Sequence, residues 1–189
     1  MSSIPPEFSN IKIGRRNGYE EIVMPSGNGG FMRFVIGIFI ICWLGGWVVG
    51  FHHAVAQLLS GKGGAFLIFW LGGWTVGGAF AVAIVVRIFR KPVPERLLLN
   101  KPNLAFDSGV PPFKLKTGSN SPKDQWQALF PKRKKLQFTP DQINTLSLRE
   151  TYSGNRLTVD VGNMRIDLAG AVTEVEREWL YQYLKSNYS

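Results

Sequence analysis

The side chains best suited to chemistry in this sequence are two adjacent histidines. The chain has 189 residues but only two histidines, His52 and His53, and one cysteine, Cys42. An imidazole in an apolar segment can bind a metal ion or a cofactor, and ionisable residues in such segments are often functional. No acid and no third histidine stands near the pair in the sequence. Two interpretations stay open: the histidines are solvated or make a polar helix contact near the end of their helix, or they bind a metal ion or a cofactor.

No catalytic motif accompanies these histidines. The sequence contains no GxSxG, GxxxxGK[ST], HExxH or CxxC pattern. From Lys91 to the last residue it has no histidine and no cysteine, so this part lacks the commonest general base, the thiol nucleophile and most transition-metal ligands. We expect a protein that is not an enzyme, with no metal site and no required cofactor.

The elements around the histidines are two long apolar stretches, from about Phe34 to Leu59 and from Ala65 to Val86. Each exceeds the roughly 20 residues that a helix needs to cross a hydrocarbon core of about 30 Å. The linker at 60–64 is short and glycine-rich, which predicts an antiparallel helix hairpin. These stretches exclude a single soluble globule and a disordered tail, and one cysteine excludes a disulfide scaffold.

The basic residues predict the orientation of this hairpin. The net charge is +9, and the loop between the stretches contains only Lys62. Lys and Arg residues near membrane helices favour the cytoplasmic side. We therefore expect an integral membrane protein of the plasma or thylakoid membrane, with both termini cytoplasmic. The flanking cations are Lys12, Arg15, Arg16 and Arg33 before the first stretch and Arg87, Arg90, Lys91 and Arg96 after the second.

An internal repeat occupies both stretches, because Trp-Leu-Gly-Gly-Trp begins at Trp43 and again at Trp70. Small residues four apart let two membrane helices approach closely. One interpretation is that the glycine pairs close this hairpin on itself. The other is that Gly78 and the tryptophans dock another membrane protein, and self-association is compatible with the same pattern. The predicted helix-packing residues are Gly46, Gly50, Gly73, Gly77, Trp43, Trp47, Trp70 and Trp74.

The rest of the chain divides around the hairpin at 31–90. Residues 1–30 are rich in Pro, Gly and Ser, which predicts a flexible cytoplasmic segment. Residues 91–189 contain strand-like runs, and the alternation at 157–161 and 164–168 around Gly162-Asn163 predicts a β-hairpin. Thr173 and Glu176 have capping-box spacing, which predicts a terminal amphipathic helix whose apolar stripe includes Val175, Trp179 and Tyr183.

A basic insertion at 117–135 interrupts this domain. Trp126, Leu129 and Phe130 share one face of a predicted short helix, and four consecutive cations follow: Lys132, Arg133, Lys134 and Lys135. An apolar face beside a basic run suits an anionic leaflet. An acidic protein partner and a merely solvated loop are the alternatives. We expect no binding of nucleic acid, because no aromatic residues interleave the basic ones.

The order of these elements is similar to that of a known family. Phe69 to Ala81, Met164 to Leu168 and Glu174 to Leu180 resemble small bacterial membrane proteins of cyanobacterial type, with a two-helix transmembrane hairpin before a pleckstrin-homology-like domain. The resemblance implies an α+β domain: an antiparallel pleckstrin-homology-like barrel closed by a C-terminal amphipathic helix. It covers about three quarters of the chain and carries no activity with it.

Together these observations predict a membrane-anchored interaction or accessory protein. Its cytoplasmic domain is expected to bind the anionic leaflet or a membrane-complex partner, and the family resemblance adds assembly of a photosynthetic complex as a concrete version. The alternative is a small cofactor-binding, metal-binding or transport membrane protein that uses His52 and His53.

Overall fold

The computed structural model describes residues 4–27, 30–113, 126–127, 129–152 and 154–188. The chain forms two compact units, one comprising Met1–Asn28, Pro92–Pro111 and Pro131–Ser189, the other Gly29–Lys91 and Pro112–Phe130. The elements in chain order are β1 (Lys12–Arg16), β2 (Tyr19–Met24), α1 (Met32–Leu59), α2 (Ala65–Phe89), β3 (Glu95–Asn100), β4 (Asn103–Asp107), β5 (Lys135–Phe138), α3 (Pro140–Ile143), β6 (Ser147–Thr151), β7 (Gly154–Val161), β8 (Met164–Leu168) and α4 (Glu174–Tyr188).

The second unit contains the two predicted apolar helices. Helix α1 has 28 residues and helix α2 has 25, and both are long and apolar enough to cross a membrane. At a rise of about 1.5 Å per residue, each exceeds a hydrocarbon core of about 30 Å. Most of their large apolar side chains are exposed, including Phe39 and Phe69. The two helices pack against each other, as the sequence predicted.

The first unit is built from two antiparallel sheets and a terminal helix. Strands β1 to β5 form one sheet in sequential order, and β6 to β8 form the second. Within the described ranges no strand pairing joins the two sheets, so they are not closed into a barrel. An antiparallel, sheet-rich part is thus confirmed. One hydrophobic core collects side chains from both sheets and from α4, including Ile22, Leu97, Phe138, Leu157 and Leu180.

The amino-terminal segment differs from the prediction of a flexible tail over residues 1–30. Strand β2 lies between β1 and β3, and Ile22 and Met24 on it are fully buried. Burial of two large apolar side chains fixes this segment to the core. Since β2 pairs with β3, the helix hairpin is an insertion between two neighbouring strands. The predicted boundary at residue 91 therefore does not separate the sheet-rich unit from what precedes the helices.

Local predictions in the carboxyl-terminal part are largely confirmed. Strands β7 and β8 pair antiparallel with Val161 opposite Met164, which places Gly162-Asn163 in the turn. Residues 140–143 form α3, and β6 starts at Ser147. Helix α4 buries Leu180 and Leu184 fully, while Val175, predicted to belong to the packed stripe, is exposed.

Candidate functional site

The tryptophans of the repeat organise the contact between α1 and α2. Trp47 donates its indole N–H to the carbonyl oxygen of Trp74 at 3.1 Å. Trp70 stacks on Trp74 with ring centroids 4.3 Å apart, and Trp47 stacks on Phe51 at 5.2 Å. A hydrogen bond between helices in an apolar environment satisfies a polar group that lipid cannot. The Trp47–Trp74 hydrogen bond thus joins the two helices, whereas each of these ring stacks lies within one helix.

The two predicted glycine pairs do not provide the close contact between the helices. A Cβ atom added at Gly50 would lie 3.8 Å from the Trp74 ring, an ordinary contact. Among the described residues, Cβ atoms added at Gly46, Gly73 or Gly77 would meet nothing within 4 Å. The close approach instead occurs at Gly78, where an added Cβ would overlap the Trp47 indole. The expected closure of the hairpin by the two glycine pairs is therefore not what joins these helices.

His52 and His53 are both exposed near the end of α1. Their rings contact each other edge to face, with centroids 6.0 Å apart. Within the part of the chain that the structure describes, no group of three or more His, Cys, Asp or Glu side chains could hold a metal ion. Among the described residues no such group includes His52 and His53, so the geometry does not support a cofactor site at this pair.

The described part of the insertion forms an aromatic cluster with α2. The amide of Phe130 donates to the carbonyl of Trp126 at 2.9 Å, which closes one helical turn, as predicted. The Trp126 ring lies 5.8 Å from Phe80 of α2 and 4.9 Å from Phe130. Trp126 and Phe130 stay about half exposed, at 55% and 48%. Residues 114–125 and 128, including most of the predicted amphipathic segment, lie outside the described residues.

The four cations of the basic run have separate environments. The Arg133 Nε donates to Asp107 at 2.7 Å, and a second guanidinium nitrogen contacts the other carboxylate oxygen. This hydrogen-bonded pair lowers the pKa of Asp107, and Lys135, opposite it on β5, lowers that pKa further. Lys132 and Lys134 are exposed before the strand begins. Among the described residues only Arg133 of the four makes a salt bridge, so the three lysines remain a cationic surface of the kind that the sequence predicted.

A groove that the sequence did not reveal lies on the outer face of the five-stranded sheet. It has a volume of about 490 Å³. Arg96 and Arg16 both contact Glu21, at 3.1 and 3.3 Å. The strands bring these residues together from β1, β2 and β3, so no sequence motif could indicate them. The lining also includes Leu98, Ala105, Asp107, Lys135 and Gln137.

Glu176 links the amino-terminal segment to α4. Its carboxylate accepts hydrogen bonds from Ser9 Oγ at 2.7 Å and from the Asn10 amide at 3.0 Å. It also accepts the Thr173 amide at 2.7 Å, while the Glu176 amide donates to Thr173 Oγ1, which confirms the predicted capping box. Although burial opposes it, these donors hold the pKa of Glu176 below its usual range.

Glu95 makes the corresponding link between the sheets. It is the first residue of β3, and its carboxylate accepts the amide of Ala169, which follows β8, at 2.7 Å. Burial raises the pKa of Glu95 to about 7, and the backbone amides of Ala169 and Gly170 lower it only in part. The side chain therefore changes its charge close to neutral pH.

Comparisons with known proteins assign no family to this arrangement. No protein-family model matches the chain. Searches of curated proteins and of solved structures give no match either.

Proposed function

We propose that this chain is a non-enzymatic, membrane-anchored interaction protein whose sheet-rich unit contacts the anionic cytoplasmic leaflet. The observation that carries the proposal is the insertion of two apolar helices between the paired strands β2 and β3. A chain that leaves a sheet, crosses a bilayer twice and returns to the neighbouring strand is held at the membrane by two connections. The non-enzymatic part follows from the absence of His and Cys after Lys91.

The strand pairing supports a common side for both termini. Met24 at the end of β2 is the pairing partner of Glu95 at the start of β3. Both ends of the inserted helix pair therefore return to one sheet, which requires them to lie on one side of the membrane. The basic residues at both ends, against Lys62 alone in the loop, favour the cytoplasmic side.

The strand register supports contact between the basic run and lipid headgroups. Lys135 begins β5 opposite Asp107, and Asp107 is opposite Arg96, next to the point where the chain returns from α2. Lys132 and Lys134, just before β5, thus lie at the end of the sheet that is connected to the helices. Each basic residue near an anionic surface contributes about 1 kcal/mol. Trp126 and Phe130 supply aromatic groups suited to the interface.

A pleckstrin-homology-like fold is part of the proposal. Two antiparallel sheets followed by one amphipathic helix support it, because a pleckstrin-homology-like domain also consists of antiparallel strands followed by one C-terminal helix. A more specific form of the proposal is a role in assembling a photosynthetic membrane complex, and only the family resemblance supports it.

The leaflet contact is tested with the full chain in lipid nanodiscs, because β1 and β2 belong to the sheet and a carboxyl-terminal fragment would lack them. Gln127, exposed beside Trp126, is replaced by cysteine in a Cys42→Ser chain and carries an environment-sensitive fluorophore. We expect a blue-shifted emission in nanodiscs with anionic lipid compared with zwitterionic ones. Replacing Lys132 and Lys134 by glutamine should abolish the difference.

The matched control removes two lysines elsewhere, with Lys101→Gln and Lys185→Gln. The control should keep the emission difference of the unaltered chain. Equal emission in both lipid compositions at low salt, or equal loss in the test and control variants, would contradict the leaflet contact.

A further inference from the structure

The groove on the outer face of the five-stranded sheet lies over Leu98 and Ala105. Antiparallel pairing puts Gly14, Glu21, Leu98, Ala105 and Gln137 in one row across the five strands. Leu98 and Ala105 form an apolar floor, and longer polar side chains line the groove around it.

The charges around this floor do not balance. Two acids, Glu21 and Asp107, line the groove, and both have Arg partners: Arg16 and Arg96 for Glu21, and Arg133 for Asp107. Lys135 lines the groove as well and, among the described residues, makes no salt bridge. Three lining cations, Arg16, Arg96 and Lys135, thus face two lining carboxylates, and Arg133 pairs with Asp107 from outside the lining, so positive charge is in excess. On the second sheet, by contrast, Asp160 and Asp167 have Arg partners and no lysine accompanies them.

We propose that this groove binds a phosphate monoester, with Lys135 and Arg96 as the principal ligands. A phosphate monoester carries between one and two negative charges at neutral pH and has three strong acceptor oxygens, which suits a groove with excess positive charge and donors on two neighbouring cations. Guanidinium groups are well suited to phosphate, since they offer several donors in one plane. The volume of about 490 Å³ exceeds a bare phosphate and leaves room for an organic part over Leu98 and Ala105.

The position of the groove allows two sources of the phosphate. Arg96 is the second residue of β3, adjacent to the point where the chain returns from α2, and Lys135 shares its cross-strand row. A headgroup of a lipid such as phosphatidic acid and a free organic phosphate present the same chemistry. This site differs from the leaflet contact of Lys132 and Lys134, and neither requires the other.

The solution arm measures binding of sn-glycerol 3-phosphate to the full chain in mild detergent by isothermal titration calorimetry, with glycerol as the uncharged comparison. We expect binding of the phosphate and none of glycerol. Lys135→Gln should weaken the affinity at least tenfold, because it removes a charged ligand but no salt bridge of the described fold. Lys185→Gln, which removes the same charge away from the groove, should leave the affinity within twofold.

The membrane arm compares nanodiscs with phosphatidic acid against nanodiscs with phosphatidylglycerol, a diester, using the same chains and Lys185→Gln as the control. A preference for phosphatidic acid that disappears in Lys135→Gln and in Arg96→Gln, but not in Lys185→Gln, identifies the headgroup as the source. The thermal midpoint without ligand identifies variants that fail to fold, and Lys135→Gln is expected to keep it. The proposal is overturned if Lys135→Gln and its control bind alike in both arms, or if neither phosphate monoester binds.

Discussion

The contact between Trp47 and Gly78 gives a sharp test of how the helix hairpin is held together. Replacing Gly78 by alanine puts a methyl group where the Trp47 indole lies, and the overlap involves ring atoms rather than the end of a flexible chain. The indole must therefore move as a whole, which disturbs its hydrogen bond to the Trp74 carbonyl. Gly77, one residue earlier, offers a matched control because a methyl group there meets no described atom within 4 Å.

The expected magnitude follows from three contributions. Overpacking in a tight contact costs about 1–3 kcal/mol. A lost interhelical hydrogen bond in a membrane costs about 0.6–2 kcal/mol. Replacing glycine by alanine within a helix returns up to about 1 kcal/mol. Gly78→Ala should thus destabilise the hairpin by about 1–4 kcal/mol, whereas Gly77→Ala should leave it unchanged or stabilise it by up to about 1 kcal/mol.

The assay is reversible unfolding of the full chain in mixed micelles as the fraction of denaturing detergent rises. Tryptophan fluorescence reports on the hairpin, since Trp43, Trp47, Trp70 and Trp74 are four of the six tryptophans. Equal midpoints for Gly77→Ala and Gly78→Ala, or a Gly78→Ala chain more stable than the unaltered one, would refute the packing described here.

Three further predictions concern the sheet-rich unit. Glu176→Ala should lower the free energy of unfolding by about 2–4 kcal/mol, because the amides of Asn10 and Thr173 lose a charged acceptor. Glu178→Ala, on the exposed side of α4, should change this free energy little. Chemical denaturation measures both variants. Since the pKa of Glu95 is raised to about 7, its contribution to stability is fully present below pH 4.5 and declines as the pH rises, by about 3 kcal/mol at pH 8. Glu95→Gln should remove that decline in urea titrations at pH 5 and pH 8, and an equal slope in both chains would contradict it. Arg133→Gln should return the pKa of Asp107 toward its ordinary value, which a carboxylate titration by NMR detects.

Elements with strong local signals could be predicted from the sequence. The apolar helices are long and continuous, the turn at Gly162-Asn163 has its own residue preference, and the capping box at Thr173 follows from spacing alone. Each of these signals lies within a few neighbouring residues. These elements can therefore be predicted without knowledge of distant contacts.

The place of the amino-terminal strands could not be predicted in this way. Every residue of β1 is exposed, so this edge strand has no apolar alternation, and the pairing of β2 with β3 joins residues separated by both helices. Pairing across such a distance leaves no mark in a local pattern. The groove on the outer face has the same origin, because all five strands of the sheet contribute its charged residues.

Tertiary structure also determines which cations of the basic run at 132–135 are paired with an acid. Arg133 and Lys135 resemble Lys132 and Lys134 in the sequence. In the structure, however, Arg133 donates to Asp107 on β4, and Lys135 is the pairing partner of Asp107 in the neighbouring strand. The glycine repeat was ambiguous for a related reason: periodicity places glycines on a helix face but does not show which face meets the partner helix.

The helix hairpin interrupts one sheet, and we propose that the sheet-rich unit on both sides of it lies on the cytoplasmic side of the membrane. The direct measurement is labelling of single cysteines by a membrane-impermeant maleimide in intact cells, in a Cys42→Ser chain carrying Glu7→Cys, Ser60→Cys or Tyr152→Cys at exposed positions. We predict that only the cysteine at position 60 reacts before the membrane is permeabilised, and that all three react afterwards. Labelling of positions 7 and 152 from opposite sides of the membrane would contradict the pairing of β2 with β3 and with it the account of this protein.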